Sequence, residues 1–102
     1  MKYTCCFPNS SIEKKFQKIL LNIPGTQIRE EIMHRIEQLA DNPRPFGQKP
    51  FKQLKPPIQI YQLAAQYRLR AGDYRILYDV DDAKKIVWIL ALRKRSERTC
   101  KF

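Results

Sequence analysis

Tyr74-Arg75-Ile76-Leu77-Tyr78-Asp79-Val80, then Asp81-Asp82-Ala83-Lys84, then Lys85-Ile86-Val87-Trp88-Ile89-Leu90-Ala91-Leu92 reads as a strand, a hairpin turn and a second strand. β-branched and aromatic residues dominate both strands, and aspartates fill the turn between them. The second strand is apolar at every position from Ile86 to Leu92, so both of its faces must be covered. That places it at the centre of a sheet.

Working towards the N-terminus, Ala71-Gly72-Asp73 is another turn, and residues 58–63 and 66–70 form one extended strand or two pieces. Residues 42–57 carry Pro43, Pro45, Pro50, Pro56 and Pro57, a pattern for a surface loop that neither a helix nor a central strand tolerates. Ahead of that loop lie two amphipathic helices. The first has Ser10 and Glu13 spaced as a capping box and the stripe Ile12, Phe16, Ile19, Leu20 and Ile23; Pro24-Gly25 stops it. Thr26 can cap the second, whose stripe is Ile28, Ile32, Ile36 and Leu39 with Met33 beside it, and Asn42-Pro43 ends it. Residues 2–7 make a short strand closed by Pro8. The order is β-α-α-β-β-β: an N-terminal strand, a helical hairpin and a three-stranded antiparallel segment. The expected class is α+β, in one domain spanning residues 1–102.

The chain has 102 residues, 43% hydrophobic and 29% charged, a globular composition with one core. No apolar run is long enough to cross a bilayer and no signal peptide stands out, so no membrane role and a cytoplasmic location are expected. Cys5, Cys6 and Cys100 form no disulfide framework, and with one histidine they suggest no zinc site. The charge is the sharper signal. Net charge is +10; residues 1–50 hold 8 basic and 5 acidic groups, residues 51–102 hold 12 and 5. A one-sided excess of this kind suits a polyanionic partner, either nucleic acid or an acidic protein segment.

Most standard catalytic constellations are missing. The chain has three glycines and no phosphate loop, and its one histidine, His34, sits mid-helix. Asp81-Asp82 suits turn geometry better than a metal, so no metal or cofactor is expected. Arginines on strands remain. Arg68 and Arg70 share a face because side chains alternate, Arg75 lies on the neighbouring strand, and Arg93, Lys94 and Arg95 leave the last one. These groups can converge on a basic groove. Pairing with Asp73, Asp79 or Glu97 is the plain structural alternative for any one arginine. Tyr67, Tyr74 and Tyr78 are candidates for base stacking or for sheet packing.

Residues 69–82, Leu69-Arg70-Ala71-Gly72-Asp73-Tyr74-Arg75-Ile76-Leu77-Tyr78-Asp79-Val80-Asp81-Asp82, followed by residues 86–97, closely resemble the C-terminal half of toxins of the RelE/ParE superfamily. The front half agrees in layout, through Phe7-Pro8, two helices and Leu39-Ala40-Asp41-Asn42-Pro43-Arg44-Pro45. The resemblance implies a RelE-like mRNA interferase: a toxin of a type II toxin–antitoxin system that cleaves mRNA in the ribosomal A site. It implies that Arg75 contacts the scissile phosphate, that Arg68 is a second basic group on the preceding strand, and that Lys94 and Arg95 match the basic cluster after the last strand. Arg68, Arg75, Lys94 and Arg95 are thus the catalytic candidates; Lys52, Lys55, Arg70, Arg93 and Arg98 are the RNA-binding ones. Fixed guanidinium groups suit this chemistry because attack by a 2′-hydroxyl crowds charge onto phosphorus.

The implied partners are a cognate antitoxin, mRNA on the ribosome, ribosomal RNA, and operator DNA only as a toxin–antitoxin complex. The sequence departs from the RelE pattern in two places. Thr99 or Cys100 stands near the position of a common tyrosine, and Lys94 stands about where many relatives carry histidine. A ParE-like inhibitor of DNA gyrase, or a toxin-derived module that only binds, stays open beside the nuclease.

Overall fold

The computed structural model describes residues 2–94. Its elements are β1 (Thr4–Cys6), α1 (Ser10–Leu21), α2 (Thr26–Leu39), β2 (Phe51–Ile60), β3 (Leu63–Ala71), β4 (Tyr74–Asp81) and β5 (Ile86–Lys94). One five-stranded sheet runs in the order β1-β5-β4-β3-β2. β1 pairs parallel to β5; every other neighbouring pair is antiparallel. The α+β class expected from the sequence is the one observed, with one strand more.

That strand is β2. Residues 51–57, read from their prolines as loop, belong to it. Its position explains why. β2 is an edge strand, so Pro56 and Pro57 need no ladder partner on their outer side, and the pairing with β3 slips between Gln53 and Ile58 around them. The stretch 58–70 resolves into two strands folded back at Tyr61-Gln62, with Tyr61 at φ 55. β5 is interior, as its apolar run requires, but the middle of the sheet is β4.

The helix ends differ in detail from the sequence expectation. Asn9, not Ser10, caps α1: its backbone is extended and its Oδ1 accepts from Ile12 N–H at 2.9 Å. Thr26 is already helical in α2, because Gly25 at φ 99 turns the chain directly into the helix, and no side-chain cap forms. α1 closes at Leu21, ahead of Pro24-Gly25.

Both helices pack on one face of the sheet. Phe16, Leu20, Ile32, Ile36 and Leu39 meet Leu69, Ile76, Tyr78, Val87, Ile89 and Leu92 in the main core. A second cluster joins Ile12 of α1 to Ile60, Ala65, Leu77 and Leu90. A bulge makes that junction: Leu77 pairs with Ala91 and Tyr78 with Ile89, which leaves Leu90 as an extra residue. Consecutive residues Ile89 and Leu90 are both buried, one in each cluster, as are Ile76 and Leu77 on β4.

Candidate nucleic-acid interface

The core dictates where the arginines go. Leu69 and Ala71 on β3, Ile76 on β4 and Leu92 on β5 are buried against the helices. A one-residue slip in any strand would exchange these for arginine, so the register is strongly specified. Their neighbours Arg70, Arg75 and Arg93 then fall on the outer face. Arg70 is the register partner of Arg75, and Arg75 of Arg93. Directly opposed residues in an antiparallel pair have Cβ atoms about 5 Å apart, so the three make one continuous row across β3, β4 and β5. In the next row Lys52 opposes Arg68, and Arg68 opposes Leu77. The face thus carries an L-shaped track: Arg93, Arg75 and Arg70 across the strands, then Arg68 and Lys52 towards the edge. Arg68, Arg70 and Arg75 are half-buried, while Arg93 and Lys52 are exposed.

The other expected site residues lie elsewhere. Lys94 opposes Tyr74, which opposes Ala71, so it sits on the helix side of the sheet, away from Arg75. With Arg93 it lines a groove of about 620 Å³, together with Ile12, Lys15 and Ile19 of α1, Tyr61 of the β2–β3 turn and Tyr74 of β4. Lys55 is exposed on the irregular stretch of β2. Arg95 and Arg98 lie outside the described residues. Tyr67 and Tyr78 are packing residues: both are buried, and the Tyr78 hydroxyl donates to the Pro43 carbonyl at 2.7 Å. Burial holds the Tyr78 hydroxyl well above the usual phenol range, so it stays protonated. Tyr74 is half-buried on the helix side.

Among the described residues, few groups are suited to move a proton. His34 is exposed on α2, in the helical layer. Burial pushes the Cys5 thiol up to about 11, and it donates to the Ile36 carbonyl, so it is no thiolate nucleophile. Asp79 has its carboxyl raised by burial and accepts from Val80 N–H. Among the described residues no group of three His, Cys, Asp or Glu could hold a metal ion. What the face offers is fixed positive charge.

The sequence reading missed one polar cluster. Arg44 donates from both terminal nitrogens to the Asp82 carboxylate, at 3.1 and 2.9 Å, and from Nε to the Tyr67 hydroxyl at 2.7 Å. Tyr3 donates to the same carboxylate at 2.6 Å. Asp81 alone serves the turn, accepting from Lys84 N–H. The cluster ties the segment before β1, the loop after α2, strand β3 and the β4–β5 turn together. Its one signal in the sequence is an arginine fixed between Pro43 and Pro45.

The comparisons with known proteins agree with this architecture. The model of a family described as the ParE toxin of the type II toxin–antitoxin system, parDE, matches residues 10–99. A chain of the archaeal RelE–RelB complex of Pyrococcus horikoshii is 25% identical, with a TM-score of 0.68, over 94% of this chain and 98% of that one. A chain of the RelBE2 toxin–antitoxin complex of Mycobacterium tuberculosis is also 25% identical, with a TM-score of 0.62, over 93% of this chain and 100% of that one. Free Escherichia coli RelE shares the fold at 19% identity, with a TM-score of 0.52, over 96% of this chain and 88% of that one. No curated protein matches the chain at a significant level.

Proposed function

This chain belongs to the ParE toxin family of type II toxin–antitoxin systems, and we propose that it acts as a RelE-like toxin, binding RNA on its arginine face and cleaving mRNA in the ribosomal A site. The observation that carries this reading is the single row of Arg70, Arg75 and Arg93, continued by Arg68 and Lys52. Three arginines on neighbouring strands, with Cβ atoms about 5 Å apart, suit a run of phosphates far better than a lone carboxylate.

In the proposed reaction the 2′-oxygen of one nucleotide attacks the adjacent phosphorus. A cyclic phosphate forms as the bond from phosphorus to the 5′-oxygen of the next nucleotide breaks, and solvent water takes the 2′-hydroxyl proton and protonates the leaving oxygen. Arg75, in the middle of the row, holds the phosphate oxygens on which charge accumulates, with Arg70 and Arg93 on either side. Lys94 lies on the opposite face, so charge stabilisation is the contribution assigned to the row. Losing one such donor commonly costs 10²–10³ in rate. Arg75→Ala is therefore expected to lower mRNA cleavage at least about 100-fold and to restore growth of a host expressing the protein. Full toxicity of that variant counts against the site.

A cognate antitoxin is the proposed partner, because the Pyrococcus and Mycobacterium chains are each in a complex of toxin with antitoxin. An acidic, amphipathic segment suits the groove beside α1, which combines Ile12 and Ile19 with Lys15, Arg93 and Lys94. Ribosomal RNA is the wider polyanion the free toxin meets, and operator DNA is reached only as the toxin–antitoxin complex. No helix among the described residues is long and apolar enough to cross a membrane.

A second reading has its own support. The matching family model describes ParE, and an inhibitor of DNA gyrase needs no proton transfer. Induction in a bacterial host with parallel measurement of translation, mRNA ends and plasmid supercoiling separates the two. Cleavage within codons and rapid loss of translation favour the nuclease; intact mRNA with altered supercoiling favours the gyrase inhibitor.

A further inference from the structure

The groove beside α1 begins where the arginine row ends. Arg93 opposes Arg75 in the row and also lines the groove, so the two surfaces meet at that residue. Lys94, the next residue, and Lys15 of α1 are the groove's other cations, and among the described residues no aspartate or glutamate lines it. All three cationic residues are exposed. The volume of about 620 Å³ falls within the range of about 300–1,000 Å³ in which proteins hold small organic ligands. Most of the apolar lining is closed core: Ile12, Phe16, Ile60, Leu90 and Leu92 are all buried.

Tyr61 lines the same groove in a conformation that needs a reason. It opens the two-residue turn between β2 and β3, at φ 55. A left-handed backbone suits glycine or asparagine and is costly for a bulky side chain, and residues held against that cost cluster at ligand sites. The turn is braced, since Gln59 Nε2 donates to the Tyr61 carbonyl at 2.9 Å. Lys15 Nζ lies over the ring, 4.8 Å from its centroid, and the residue is still 59% exposed. An acidic protein segment answers the cations but leaves a strained, exposed ring without a role. A nucleotide answers both. Its phosphates take the cations and its base stacks on the ring, as in proteins that hold single-stranded RNA.

We propose that the RNA strand whose phosphates lie on the arginine row runs past Arg93 into the groove beside α1, where Tyr61 stacks one unpaired base and Lys15 and Lys94 take the flanking phosphates. This rests on the reading of the outer face as an RNA site, and it extends that site by a base contact and two cations. The bound strand is single-stranded there, because a paired base cannot be splayed onto the ring. The antitoxin segment and the RNA then compete for one groove.

The test uses the purified full chain and two probes. One is an unstructured RNA oligonucleotide with every 2′-hydroxyl methylated, so that it binds without being cut; the other is inorganic polyphosphate, which has charge but no bases. Tyr61→Asn removes the ring and suits the left-handed turn, so a melting temperature at or above that of the wild type is expected. The variant is expected to bind the oligonucleotide about tenfold more weakly, with polyphosphate affinity unchanged. Tyr61→Phe keeps the ring and is expected to bind as the wild type does. Lys15→Gln combined with Lys94→Gln is expected to weaken both probes. The proposal is overturned if Tyr61→Asn binds the oligonucleotide as the wild type does, which leaves the groove to the antitoxin alone, or if it loses both probes alike, as a merely structural role would produce. It is equally overturned if the double lysine variant binds both probes undiminished. Arg75→Ala keeps the two failures apart: undiminished binding of both probes by that variant rejects the RNA reading itself, whatever Tyr61 does.

Discussion

Asp82 takes two hydrogen bonds from Arg44 and one from Tyr3. These donors, Arg44 first, hold its carboxyl down from 3.8 to about 2. A carboxyl lowered in the fold stabilises the fold above its unfolded pKa and loses that contribution as pH falls through the folded value. Between about pH 4 and pH 2 the wild type is therefore expected to lose melting temperature through this group. Arg44→Ala removes the cause, so its melting temperature should fall less steeply over the same interval than that of the wild type. Equal slopes in scanning calorimetry would remove Asp82 from the acid transition. A second residue-scale prediction concerns Tyr78. Its hydroxyl donates to the Pro43 carbonyl from a fully buried position, and Tyr78→Phe should cost about 1 kcal/mol in denaturant titrations. At this scale the sequence conveyed the parity of Arg68, Arg70 and Arg75, because alternation along a strand is local. It did not convey the bond from Arg44 to Asp82, which joins residues 38 apart.

At the scale of elements, the apolar stripes of the two helices and the hairpin of β4 and β5 were legible because their periodicity is carried within a few residues. β2 was hidden for a physical reason. Prolines mark a break in any interior strand, yet are tolerated on an edge, and whether a strand is an edge depends on the rest of the sheet. The turn at Tyr61-Gln62 was hidden because it uses no glycine or asparagine; Tyr61 itself takes the left-handed region. Arg93 and Lys94, adjacent in sequence, have register partners of opposite parity, Arg75 and Tyr74, yet both line the groove beside α1. The turn at Gly72 was legible and carries a prediction. Gly72 has φ 58, and an added Cβ would stand 3.0 Å from Ile28 Cδ1 on α2. Gly72→Ala thus meets both a left-handed backbone and a helix side chain, and should cost about 1–2 kcal/mol. A thermal melt checks this; an unchanged melting temperature would show that α2 yields at Ile28.

The sheet carries an arginine track on its outer face and a helical layer on the other, and the groove beside α1 reaches Arg93 at the end of the track. Phosphate binding on the track releases counterions, and for single-stranded nucleic acid the logarithm of affinity falls with the logarithm of salt by about 0.7 per neutralised phosphate. If Arg68, Arg70, Arg75 and Arg93 each neutralise one, the slope should be about −3 for a non-cleavable oligonucleotide, and near −2 for Arg75→Ala. A slope insensitive to that substitution would place the RNA elsewhere on the +10 surface.

The row of opposed arginines also bears on how the free chain persists. Like charges facing each other across strands work against the pairing that holds them, and a polyanion laid along Arg70, Arg75 and Arg93 would screen that repulsion. Occupancy and folding then become linked equilibria, and each saturating ligand raises the unfolding free energy by an amount set by its concentration over its Kd. A polyanion that binds the folded chain alone would therefore raise its melting temperature with concentration.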